Sequence, residues 1–279
     1  MAGFDMHTHS TCSDGATTVE ENVRRAVALG LEGLAITDHD TTDGFVDAMN
    51  AADGTELELV LGTEFSAEHD GVSVHVLGYW IDPAYGPLRA ELDRLRDERT
   101  DRARRIVERF RGLGIAVSFD RVRELAGEAP IGRPHIAQAV VELGAAASVR
   151  EVFDRYLADG GPAYVEKHAV DPVRAVELLV AAGGVAVLAH PGLYGRRDGA
   201  EGVPDELVAA MADAGLAGVE ADHPDHSAEH TRRYRDLAAS LRLEVTAGSD
   251  HHGEGDLDRL GVATTPREVV ERLRRWRRA

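Results

Sequence analysis

At 279 residues, with 43% apolar and 29% charged side chains, the chain can bury one substantial core and a smaller appended one. A formal charge of −18 excludes long-range attraction to duplex nucleic acid or an anionic membrane, but a small anion can still be gripped by locally placed cations. The single cysteine, Cys12, excludes an internal disulfide framework and fits a reducing cytoplasm. No apolar run approaches the ~20 residues of a membrane span, and no signal peptide is expected, since Met1-Ala2-Gly3 leads straight into the first strand-like segment.

In chain order, Phe4-Asp5-Met6-His7-Thr8-His9-Ser10 reads as a short strand running out into a loop. The two-residue repeat of a strand places His7 and His9 on one side, and Asp14 adds a carboxylate just beyond. An amphipathic helix follows, with Thr17 or Thr18 as N-cap and Gly30 as its stop. A buried strand over 33–39 ends in Asp38-His39, and a short helix covers 43–52. A third strand over 57–64 ends in Glu64, and a fourth over 72–79 carries His75. This alternation predicts parallel β/α units.

The rhythm changes after Pro83. Leu88, Leu92, Leu95, Ala103, Ile106, Val107 and Phe110 form one stripe of a long helix, and further helices are predicted over 119–126, 134–143 and 148–158. Residues 86–165 therefore read as a helical insertion between barrel segments 1–85 and 166–279. Its arginines alternate with carboxylates, which marks a solvated face rather than a nucleic-acid contact. Alternation resumes with a helix over 172–182 and a strand over 184–191 that delivers His190. A helix over 205–214, a strand over 216–221 ending near Glu220, and a helix over 227–241 come next. A strand over 244–250 then ends in Asp250, and a helix over 266–278 closes the chain, its arginines complementing the helix dipole.

In a barrel of parallel strands the C-terminal strand ends share one rim, where an active site assembles. Here those ends carry His39, Glu64, His190, Glu220 and Asp250, with His7 and His9 past the first strand. Imidazoles and carboxylates without thiolate suit Mn, Fe or Zn. The number of candidate ligands calls for two or three ions, with Glu64 as the bridge.

The set His7-x-His9, Asp14-Gly15, Thr37-Asp38-His39, Gly62-x-Glu64, His75, Ala189-His190-Pro191 and Gly248-Ser249-Asp250-x-His252 resembles the PHP (polymerase and histidinol phosphatase) metal-dependent phosphoesterases. The resemblance implies a distorted seven-stranded β/α barrel, TIM-like, with its metal centre at the strand ends. It extends to the stand-alone bacterial branch acting on nucleoside 3′,5′-bisphosphates or short RNA 5′ ends. That branch carries a helical insertion and a Gly-Arg-Pro-His segment, matched by Gly132-Arg133-Pro134-His135. Carried over by motif, one ion takes His7, His9, Glu64 and Asp250, a second Glu64, His75 and His190, and a third Asp14, His39 and His252.

The function so implied is hydrolysis of a phosphate monoester of a small nucleotide by metal-activated water. The alternatives are 5′-to-3′ cleavage of short oligoribonucleotides, histidinol phosphate hydrolysis, and a non-catalytic metal-binding scaffold. Either His223 or His190 is expected to pass a proton to the leaving group, with His223 preferred because a metal-bound ring is not free to do so. Arg133, His135, Lys167 and His226 are the candidate substrate contacts, with Arg133 gripping a phosphate bidentately. Asp38 is expected to orient a ligand rather than bind metal, and His251 to support the site or face solvent.

Overall fold

The computed structural model describes residues 3–127, 131–158, 160–165, 170–194, 202–253 and 255–277. The chain divides into two compact units, residues 1–92 with 169–279, and residues 93–168.

The first unit is built on seven strands paired in sequence order: β1 (Phe4–Asp5), β2 (Gly33–Ile36), β3 (Glu58–His69), β4 (Val72–Tyr79), β5 (Val185–Leu188), β6 (Leu216–Asp222) and β7 (Glu244–Ala247). Helices α1 (Val19–Leu29) and α2 (Phe45–Ala52) follow the first two strands. Between β4 and β5 come α3 (Gly86–Gly112), α4 (Phe119–Ala126), α5 (Arg133–Glu142) and α6 (Val149–Val152). The last three strands are accompanied by α7 (Pro172–Ala181), α8 (Asp205–Asp213), α9 (Ala228–Leu241) and α10 (Arg267–Arg274). Beyond β7 the chain turns back along the chain beyond β1: Asp250 N–H donates to His7 O at 2.9 Å and His9 N–H to His251 O at 2.8 Å. These bonds draw the sheet nearly closed into a distorted TIM-like barrel.

The apolar strand bodies are buried on both faces, as parallel sheets covered by helices require. Phe4, Met6, Val60, Leu77, Tyr79 and Val187 pack with Val270 and Leu273 of α10, while Val19, Val23 and Ala26 of α1 pack on Leu34 and Ile36. Thr18 caps α1, its side chain accepting from Glu21 N–H, and Gly30 ends it in a left-handed conformation at φ 70°.

The uniform parallel alternation expected from sequence is corrected at one strand. β4 runs antiparallel to both β3 and β5. The reason is local: Asp70 and Gly71, at φ 50° and 79°, make a two-residue turn of the kind that joins antiparallel strands, and no crossover helix intervenes. β3 accordingly extends to His69, five residues past Glu64. β1 is shorter than expected; beyond Asp5 only Thr8 bridges, to His251.

The second unit has its own core. Ile106, Val107 and Phe110 of α3 pack with Val122 of α4, Ile136 and Val140 of α5, and Val152 and Leu157 at the chain's next turn. There α6 is continued by a π-turn over Phe153–Leu157.

Candidate metal centre

Glu64 lies fully buried in the middle of β3, and five histidines converge on its carboxylate. Oε1 is 2.8 Å from His75 Nδ1 and 2.9 Å from His190 Nε2. Oε2 is 3.2 Å from His7 Nε2, His9 Nε2 and His39 Nδ1. Around this hub Asp250 Oδ1 sits 3.2 Å from His9 Nε2, and Asp14 Oδ1 sits 3.5 Å from both His9 Nδ1 and His252 Nε2. The side chains fall into four overlapping groups: His7-Glu64-His190, His7-His9-Asp250, His39-Glu64-His75 and His9-Asp14-His39-His252, each with its ligand atoms within 4.8 Å of one another. All nine side chains carried over by motif stand in these groups. His7, His9, His39 and Glu64 each stand in two of the groups.

A second layer of side chains sets the orientation of the first. The Glu220 carboxylate, at the end of β6, takes His7 Nδ1 at 3.1 and 3.2 Å and accepts His190 N–H at 3.0 Å. With its Nδ1–H so engaged, His7 turns a bare Nε2 towards Glu64. His252 does likewise, donating Nδ1–H to Asp250 O at 2.9 Å and facing Asp14 with Nε2. Asp38 holds the loop that carries Asp14 rather than His39: its carboxylate accepts from Ser10 N–H (2.8 Å), Ser10 Oγ (2.8 Å) and Ser13 Oγ (2.6 Å). His251 is fully buried, with Nε2 beside Asn22 Oδ1 at 3.2 Å, so the solvent-facing alternative is excluded. Gly248 is required by crowding, because a side chain there would collide with His7 and Glu220. His190 and Asp250 have φ of 23° and 50°, a left-handed backbone that costs free energy in non-glycine residues and concentrates at functional sites.

The donor set fits divalent ions. His9 Nδ1, His39 Nδ1 and Glu64 Oε2 are buried and have no hydrogen-bond partner, and His7 Nε2 faces His9 Nε2 at 3.1 Å, nitrogen to nitrogen. Groups arranged this way suit cations between them. Without ions, protons substitute: burial opposes charging of His9, but Asp250, Glu64 and Asp14 outweigh it and lift the ring to about 10. His7 is raised in the same way by Glu220, Glu64 and Asp250, again against its burial. Burial likewise works against ionising Glu220, yet the His7 ring beside it draws the carboxyl down to about 2.

The remaining sequence candidates separate. His223 is buried, with Nε2 3.4 Å from Asp250 Oδ2, but it is oriented opposite to His7. Its Nδ1 accepts Asp225 N–H at 3.1 Å, so the ring proton resides on Nε2. With Nδ1 accepting, Nε2 is the ring atom left to donate to a substrate oxygen. His190 stands among the ligands. His226 has both ring nitrogens engaged within the fold, Nδ1 on Ala221 O at 2.9 Å and Nε2 accepting Gly192 N–H at 3.0 Å, so no polar ring atom remains for the substrate contact expected of it. In the second unit Arg133 opens α5 with its guanidinium over the Phe153 ring, while His135 Nδ1 accepts Gly132 N–H at 3.0 Å and caps the same helix. Lys167 lies outside the described residues.

Two residues carried no sequence signal. Tyr194, with a buried and unpartnered hydroxyl, packs its ring against His75 and His190 at centroid distances of 5.5 and 5.3 Å. Arg259, only 10% exposed, reaches Asp225 and Asp250 from a loop with no recognisable motif.

Residues 5–79 match the PHP domain model. The chain is 37% identical over 257 residues to a 3′,5′-nucleoside bisphosphate phosphatase of Chromobacterium violaceum, covering 92% of this chain and 89% of the relative. It is 35% identical over 251 residues to the 5′-3′ exoribonuclease Rnm of Salmonella typhimurium, covering 89% and 85%. A solved structure from Bifidobacterium adolescentis, assigned as a metal-dependent phosphoesterase, superposes with a TM-score of 0.86 at 33% identity over 100% of this chain and 97% of that one. With its near-closed seven-stranded barrel and its buried His/Asp/Glu cluster, the chain belongs to the PHP family of metal-dependent phosphoesterases.

Proposed function

We infer that the protein hydrolyses a phosphate monoester of a small nucleotide, of the nucleoside 3′,5′-bisphosphate type, using two or three divalent ions drawn from Mn, Fe and Zn. The observation that carries this reading is the full set of nine ligand side chains around Glu64, in a chain aligned over 92% of its length with a bisphosphate phosphatase. Glu64 would share in holding one ion with His7, His9 and Asp250 and a second with His75 and His190, and Asp14, His39 and His252 would hold a third. Such ions lower the pKa of a bound water towards neutrality and neutralise charge on the phosphoryl oxygens.

The chain's own residues complete the chemistry. Glu220 keeps His7 turned towards the ions, and His223 offers its Nε2–H to an oxygen that gains charge as the P–O ester bond breaks. Arg133, His135 and Lys167 are the sequence's candidates to hold the phosphate that is not cleaved. The overall charge of −18 argues against duplex partners, and a single cysteine fits the reducing cytoplasm. Cleavage of short oligoribonucleotides from the 5′ end is the second reading, favoured by the 35% identity to Rnm.

The deciding experiment offers metal-loaded protein nucleoside 3′,5′-bisphosphates, mononucleotides, histidinol phosphate and 5′-phosphorylated RNA of increasing length. Bisphosphates should give the highest kcat/KM. A preference for long RNA or for histidinol phosphate would overturn the substrate assignment, and absence of turnover on every substrate would overturn the enzyme.

A further inference from the structure

Arg259 lies on the loop between β7 and α10, nine residues beyond Asp250, and its side chain is 90% buried. One guanidinium edge is anchored: Nη1 donates to Asp225 Oδ2 at 2.8 Å. The other is not, since Nε and Nη2 are buried without a hydrogen-bond partner, Nη2 lying 3.6 Å from Asp250 Oδ2. The backbone of Arg259 is fixed as well, its N–H donating at 3.2 Å to Nδ1 of the buried His251. Asp225, the anchored partner, is the residue whose own N–H donates to His223 Nδ1 at 3.1 Å. A continuous chain of contacts therefore runs from Arg259 through Asp225 to His223. It returns to the metal centre at Asp250 Oδ2, which His223 Nε2 and Arg259 Nη2 approach at 3.4 and 3.6 Å.

We propose that Arg259 is a positioning residue for the reaction: by holding Asp225 it locks His223 as the Nε2–H tautomer aimed beside Asp250. Three observations carry this. An imidazole has one proton to place when neutral, and the Asp225 N–H directed at Nδ1 decides that it sits on Nε2. The Asp225 N–H lies in the short loop between β6 and α9, and the guanidinium contact from the β7–α10 loop fixes that loop from outside. Finally, His223 Nε2 is buried yet has no hydrogen-bond partner, as expected of a donor held ready for an oxygen of the substrate phosphate. Arg259 touches neither substrate nor reacting atoms in this scheme; it acts through His223.

The inference rests on the phosphoesterase reading for its kinetic arm and is independent of it in its spectroscopic arm. In zinc-loaded protein, ring 15N shifts of His223 should show the proton on Nε2 in the wild type and a mixture of tautomers in Arg259→Gln. For kinetics, Arg259→Gln should lower kcat about tenfold, the lower end of what loss of an orienting partner costs, with KM and bound metal little changed. The discriminating measurement is the cycle with His223→Ala: once the ring is gone, Arg259→Gln should have no further effect, because both changes remove one function. Asp225→Ala should reproduce Arg259→Gln and be non-additive with it. Effects of Arg259→Gln and His223→Ala that multiply independently would overturn the proposal, as would an unchanged His223 tautomer in Arg259→Gln. Loss of metal from Arg259→Gln would also overturn it and place Arg259 with Asp250 instead. If the wild type turns over no nucleotide, the tautomer measurement still tests the positioning claim.

Discussion

Replacing Glu220 tests whether the layer behind the ligands matters energetically. The residue is fully buried and serves two donors at once, His7 Nδ1–H at 3.1 Å and His190 N–H at 3.0 Å. Glu220→Ala leaves both buried without an acceptor, and each orphaned donor costs about 1–3 kcal/mol. It also frees His7 to adopt the wrong tautomer for a ligand. Removing such a partner weakens metal binding by about 10- to 100-fold, equivalent to about 1.4–2.7 kcal/mol and well within the cost of the two lost bonds. Glu220→Gln keeps the volume and one acceptor oxygen, so its loss should lie at the low end, about tenfold. The assay is competition with a chelator of known affinity, followed by kcat/KM on a nucleotide at saturating metal. Excess metal should restore much of the activity of Glu220→Gln. If Glu220→Ala binds metal as tightly as the wild type, His7 is oriented by packing alone and the argument for the brace fails.

Three further outcomes are expected. Asp250→Ala and His9→Ala should each lose bound metal by elemental analysis and abolish turnover, because their ligand atoms lie 3.2 Å apart and would share one ion; full occupancy in either refutes the grouping. Arg133→Ala should lower kcat/KM for a nucleoside bisphosphate about 10- to 100-fold, the equivalent of one charge-assisted contact, and affect p-nitrophenyl phosphate far less. Equal losses on both substrates would remove Arg133 from the second phosphate. In metal-free protein the folded value of about 10 for His9 lies above the 6.5 of an unfolded histidine. The stabilisation it gives is therefore complete below pH 6.5 and lost as pH rises towards 10. Thermal melts of the metal-free protein should fall across that window, and metal uptake at pH 8 should release a proton from His9; uptake without proton release contradicts the assignment.

Much of the site is legible in the sequence because strand chemistry is local. A two-residue period puts His7 and His9 on one side, and an apolar run ending in Asp, Glu or His marks a strand whose end reaches the rim. The Asp70-Gly71 pair that makes β4 antiparallel was legible as a hairpin turn too, but a count of alternating elements overlooks it. What depends on chain closure is not legible. Glu220 meets His7 across 213 positions, and Arg259 meets Asp225 across 34, contacts that exist only once the barrel brings the ends of β1, β6 and β7 together. The roles of the histidines are decided there as well. His7, His223 and His226 carry the same ring in similar stretches of sequence, yet one turns a bare nitrogen inwards, one presents its proton, and one has both nitrogens engaged on backbone. An imidazole's tautomer is set by whichever donor or acceptor the tertiary structure places against its other nitrogen.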